Sequence, residues 1–191
     1  MKRIAIFLLA AALLLTGCSG TPQRDPGWEE SWTAMGRHLA IEALEDFPLN
    51  ESNDVLGTSG LYYATWTCGE GQSYVNSDGK DAMVYDAQIY VLLKECSDAE
   101  AAALEIATWT DLEKKSYEAG EQEALTVGSQ EFQILPLANG KESNPYPSGI
   151  SAFAVRGKNA ISVELVYSDR YTGNPRETLE RFLAGFHYAG E

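Results

Sequence analysis

The chain has 191 residues, 28 of them acidic and 14 basic, for a formal net charge of −14. A surface this acidic repels nucleic acid and anionic headgroups, which excludes DNA and RNA as partners. The length suffices for one sizeable core.

Lys2 and Arg3 precede an uncharged apolar run over residues 4–15. A transmembrane helix needs about 20 such residues; this run is shorter and ends in small residues rather than in a positive stop. That is the layout of a secretory signal. Leu15-Thr16-Gly17-Cys18, which closes it, resembles the lipobox of bacterial lipoproteins. The resemblance implies that residues 1–17 are removed, that Cys18 is lipidated on its sulfur, and that the new N-terminus is acylated. At least two acyl chains on one cysteine make a stable anchor, so the resemblance places the protein on the extracytoplasmic face of the cell membrane. Loss of Lys2 and Arg3 leaves 12 basic residues against 28 acidic ones, a charge of −16. Residues 18–27, ending in SGTPQRDPG, form the lipidated cysteine and a flexible tether, and residues 28–191 form a single α+β domain.

Within that domain, Trp32, Met35, Leu39, Ala43 and Phe47 follow helical spacing and predict a helix over 28–47, stopped by Pro48. Residues 50–60 are a turn-rich connector. Residues 61–68 (LYYATWTC) predict a strand, and residues 69–81 a set of turns. Residues 83–95 alternate along one long strand whose second half is apolar on both faces, which places it near the centre of a sheet. Ser97-Asp98-Ala99-Glu100 reads as a capping box for a helix to about Tyr117, with Ala102, Ile106, Trp109, Leu112 and Tyr117 as its buried stripe. Residues 131–137 predict a strand with Pro136 at a sheet edge, and residues 138–149 a loop. A hairpin follows over 150–156 and 160–167. Between a two-residue and a three-residue loop, the latter collects Phe153, Val155, Ile161 and Val163 on one face and is preferred. Asn174, Pro175 and Glu177 open a last helix, with Leu179, Phe182, Leu183 and Phe186 as its apolar face.

This order predicts an α+β fold: one mostly antiparallel sheet of about five strands, with helices packed on one face. The layout from Ala87 to Tyr188 resembles that of small uncharacterised lipoproteins from Firmicutes, and loosely the Mog1/PsbP-like layout.

Motifs for chemistry are sparse. His38 and His187 are far apart and belong to no ligand pattern, so no metal and no cofactor is expected. The loop Asn76–Asp81 lacks the first and last ligands of a calcium loop. Ser77-Asp78-Gly79-Lys80 matches a serine–lysine motif by letters but lacks its partner motifs. Asp86 and Glu164 interrupt apolar runs, and alternation puts both on the solvent side of the sheet. With Cys18 lipidated, Cys68 and Cys96 remain. Either they bridge, closing a loop of about 29 residues for about 3 kcal/mol, or they stay as two free thiols. The strands and loops are rich in tyrosine, whose large face and polar tip suit binding. Tyr146, Tyr62 and Trp66 are the candidate binding residues, with Tyr146 the most exposed.

The expected function is a non-catalytic, membrane-anchored domain that binds a small ligand or an envelope protein. One alternative is a hydrolase of envelope material. Another is an accessory subunit of a transporter or envelope assembly. Several carboxylates, or a thiol with a histidine, converging in one cleft would favour the hydrolase.

Overall fold

The computed structural model describes residues 32–34, 39–53, 60–76, 79–141 and 144–188. The expected signal and tether, with Cys18, and also His38 and Ser77, lie outside the described residues.

β1 (Trp32–Ala34) and β2 (Leu39–Ile41) pair antiparallel where helical spacing predicts a helix. Tertiary pairing overrides that local pattern: Ala40 and Ile41 are buried, and β2 also pairs with the last strand of the chain. β3 (Leu49–Asn53) is a strand rather than part of a connector, because its backbone completes the ladder of β4 (Leu61–Cys68). β5 (Gln72–Val75) and β6 (Asp81–Val84) form a separate hairpin. The long strand expected over 83–95 is therefore broken. Asp86 N donates to the Cys68 carbonyl at 3.0 Å, and Ser168 N donates to the Asp86 carbonyl at 2.9 Å. These ties seat the start of β7 (Ala87–Glu95) in the main sheet.

α1 (Ala99–Ser116) starts one residue later than the capping box implies. Cys96 N is held by the Lys158 carbonyl at 2.9 Å, which keeps the chain extended there. Asp98 is the cap: its Oδ1 accepts from Ala101 N at 2.8 Å, and Ser97 Oγ donates to its Oδ2 at 3.0 Å. β8 (Glu118–Ala119), β9 (Glu123–Val127) and β10 (Gln130–Ala138) follow. β11 (Ser148–Arg156) and β12 (Asn159–Tyr167) then form the hairpin. α2 (Pro175–Ala184) opens on Asn174, whose side chain accepts from Arg176 N and Glu177 N. Phe186 belongs not to that helix but to β13 (Phe186–Tyr188).

The main sheet has eight strands rather than about five. Its order is β3-β4-β7-β12-β11-β10-β8, with β9 also on β10, and the pairs are antiparallel. The hairpin register is the one the preference for a large apolar face rejects. Arg156 pairs with Asn159 across the two-residue turn Gly157-Lys158, and Ala152 and Ala154 share a face with Ile161, Val163 and Leu165. Gly157 takes φ +58° at no steric cost, the pattern of a Gly-first turn that follows strand twist. Collecting large side chains on one face brings no gain when both faces are buried.

Both faces are buried because the helices divide between them, not packed on one face as expected. On the first face Trp66, Ile89, Val91, Leu93, Phe132, Ile134, Ile161, Val163 and Leu165 meet Leu179, Phe182 and Leu183 of α2. Small Ala152 and Ala154 let that helix approach closely. On the second face Leu135, Leu137, Phe153 and Val166 meet Ile106 and Trp109 of α1 and Tyr117 at its end. This second row is too apolar to face water, so α1 must cover it.

Candidate functional site

The register of the main sheet brings three polar residues side by side on the face under α1. Tyr90 lies opposite Glu164, and Glu164 lies opposite Ser151. From above, α1 contributes Glu113. Its spacing from Ile106 and Trp109 keeps it on the helix stripe that faces the sheet. A cavity of about 390 Å³ opens between helix and sheet, with Glu113 and Glu164 in its wall alongside Tyr74, Tyr90, Tyr117 and Tyr146. A smaller hollow of about 90 Å³ shares Tyr90, Glu113 and Glu164. The volume of the larger falls within the roughly 300–1,000 Å³ common for small-molecule sites.

Burial pushes both carboxyls above the ordinary glutamate range, Glu164 well above it. The charge and nearness of Glu113 raise Glu164 further. The nearness of Glu164 and Ser151 partly offsets the rise at Glu113. Two carboxyls this close in a shielded place resist ionising together, so the pair retains a proton where exposed glutamates have lost theirs. Ser151 Oγ lies beside Glu113, yet it is buried and closes no hydrogen bond of good geometry.

The tyrosines are fixed by a short network. Tyr85 N donates to Tyr146 Oη at 3.1 Å, and Tyr146 Oη donates to Gln88 Oε1 at 3.1 Å. Tyr90 Oη donates to the same Gln88 oxygen at 2.9 Å. Asn144 Oδ1 accepts from Tyr146 N at 3.0 Å and fixes the turn before it. Burial raises the phenols of Tyr90, Tyr117 and Tyr146, which keeps them neutral donors. Among the described residues the cavity wall holds no lysine, arginine or histidine. Arg170 is engaged elsewhere, with Asp86 at 3.0 Å.

The residues singled out in the sequence are only partly gathered here. Tyr146 lines the cavity, but it is 3% exposed rather than the most exposed candidate. Its flanking prolines bring the loop back onto the sheet, and Gln88 offers its hydroxyl a partner. Tyr62 and Trp66 lie on the opposite face, in or against the α2 core, so the three do not form one aromatic patch. Cys68 and Cys96 are free thiols. Cys68 pairs with Ala87 at one end of β7, and Cys96 follows the other end. Nine residues of strand, about 30 Å, separate them, beyond the reach of a disulfide. Glu164 and Gln88 face α1 and not solvent. Asp86 is half-buried.

Glu113 carries no motif, and its only signal is an acid in the apolar stripe of an amphipathic helix. Among the described residues no three metal-ligating side chains cluster. Lys80 N donates to Asn76 Oδ1 at 2.9 Å, a turn bond within the loop that borrows calcium-loop letters.

No family model matches the chain, and no curated protein matches it. Solved structures do match, among them these two. One is a protein from Bacteroides thetaiotaomicron, 12% identical with a TM-score of 0.47, covering 86% of this chain and 50% of that one. The chain thus spans half the length of that protein. The other is the cyanobacterial PsbP protein CyanoP from Synechocystis sp. PCC 6803, also 12% identical with a TM-score of 0.47, covering 83% of this chain and 91% of that one.

Proposed function

We propose that this chain is a lipid-anchored extracytoplasmic binding domain, and that the cavity between α1 and the main sheet takes a small ligand. The supporting observation is the cavity itself: about 390 Å³, walled by four tyrosines, with a carboxyl pair to orient what enters. The volume is of the size that small-molecule sites commonly have, and polar groups converge on it. An envelope protein as sole partner is less well supported, since the aromatic residues gather inward. The anchor rests on residues 1–18 and has its own test. Cys18→Ala should abolish labelling by a fatty-acid probe and leave unprocessed precursor; continued labelling refutes it. For the site, protein-observed NMR with a fragment library should give hits whose amide shifts cluster at Tyr117, Tyr146 and Glu164. Hits confined to other surfaces count against it.

A hydrolase acting on envelope material is the second reading, favoured by the convergence of Glu113 and Glu164 in one cavity. One protonated and one ionised carboxyl could serve as acid and base. Turnover of cell-wall fragments, lost in Glu164→Gln, would establish this reading; absence of turnover with bound ligand supports the first.

A further inference from the structure

We propose that the ligand is an organic ammonium ion, held by its charged nitrogen at Glu113 and Glu164 and by its carbon body against the rings of Tyr90, Tyr117 and Tyr146. The inference rests on the cavity being a ligand site, and adds the chemical class.

The formal charges in the described wall are both negative. An anionic ligand would meet them without a counter-charge, in a chain of net charge −14. Four tyrosines line the same space, and aromatic rings attract cations through their quadrupoles, most strongly where water is excluded. The hydroxyls of Tyr90 and Tyr146 already bond Gln88. They are therefore committed to holding the wall, and what those residues offer a ligand is chiefly ring surface. An inorganic divalent ion fits less well. Calcium takes six to eight oxygen ligands, and no cluster of three acidic, histidine or cysteine side chains exists among the described residues. An ammonium N–H donates to carboxylate oxygen, the stronger charge-assisted kind of hydrogen bond.

The pair holds its proton more firmly than exposed glutamates do, because among the described residues no basic group in the wall compensates its charge. The groups facing it are neutral: Tyr90 from β7, Ser151 from β11, Tyr117 at the end of α1, and Asn144 and Tyr146 from the loop before β11. An ammonium ion entering the site replaces that proton. The balance is direct: the pair loses its proton to buffer and gains the cation, with no covalent bond made and nothing oxidised.

The test uses three probes of one shape on the mature protein: 2-phenylethylammonium, 2-phenylethanol and phenylacetate. Titration calorimetry near neutral pH should show the ammonium ion binding at least about tenfold tighter than the alcohol, with phenylacetate weakest. Repeating it in buffers of different ionisation heat should show proton release with the amine and none with the alcohol. Glu164→Gln, and separately Glu113→Gln on the more accessible helix, should erase the preference with the circular dichroism spectrum retained. Tyr117→Phe should keep amine affinity and Tyr117→Leu lose it.

Equal or tighter binding of the alcohol, the carboxylate or calcium overturns the proposal, as does a preference that survives both glutamine variants. If the alcohol or carboxylate shifts cavity amides while the amine does not, the cation inference fails and the ligand-site reading stands. If none of the three shifts them, the cation inference fails, and the fragment screen decides the broader reading separately.

Discussion

At the scale of single residues, Glu164 carries the most consequence. Its folded-state proton affinity is raised by burial and by Glu113, while in the unfolded chain it returns to the ordinary value of 4.5. The folded state therefore binds more protons than the unfolded state above about pH 4.5, and stability falls as pH rises through that window. Chemical denaturation across pH should show this decline. Glu164→Gln should flatten it and raise the midpoint at neutral pH, and an unchanged slope would contradict the pairing with Glu113. The sequence makes Glu164 visible as a lone acid in the apolar run of β12, and alternation separates it correctly from Ile161 and Val163. What alternation cannot supply is which face water reaches, since that depends on α1 crossing the sheet. Glu113 is harder to see, because acids and lysines surround it on the helix. Tyr146 is legible as notable but not as buried, because its partner Gln88 lies 58 residues away.

At the scale of elements, legibility follows the range of the determining contacts. α2 announces itself locally. Asn174 Oδ1 accepts from Arg176 N at 3.1 Å and Glu177 N at 3.3 Å, and Pro175 supplies a preset φ. Asn174→Ala should cost about 0.5–2 kcal/mol by urea denaturation. For α1, Asp98→Ala should destabilise more than Ser97→Ala, because Asp98 makes the bond to the Ala101 amide; the reverse order would restore Ser97 as cap. Gly157→Ala places a side chain at φ +58° and should cost about 1 kcal/mol, with Gly157→Asn milder. The segment from Trp32 to Phe47 reads as helix because its apolar spacing is helical. Its strands pair with each other, and β2 also pairs with residues 186–188, at the other end of the chain. β3 is hidden for the same reason, since its polar sequence LNESN carries no alternation and only β4 makes it a strand.

At the scale of the molecule, the sheet with two covered faces explains the low strand count and the helix placement that the sequence suggests. A strand buried on both faces has no clean alternation, so β7 and β12 are legible as central while the layer over their second face is not. The first face is the larger and tighter core, where Phe182 meets Trp66 edge-on with ring centroids 4.9 Å apart. Phe182→Ala should cost about 3–5 kcal/mol in equilibrium denaturation. The second face is held differently. Of 18 residues in α1, Ala102 and Thr110 are the fully buried ones, while α2 buries four of its ten. Leu104 of α1 is 70% exposed, and Leu112, expected in the buried stripe, lies at the cavity wall and is 53% exposed. Few buried contacts mean a low free energy of local opening. Amide hydrogens of α1 should therefore exchange with deuterium well before those of β7, β12 or α2, in one cooperative step that exposes the Glu113–Glu164 pair. A ligand seated between helix and sheet would slow that exchange in proportion to its occupancy. The looseness of one helix thus gives a label-free readout of whether the cavity is filled, whatever the occupant.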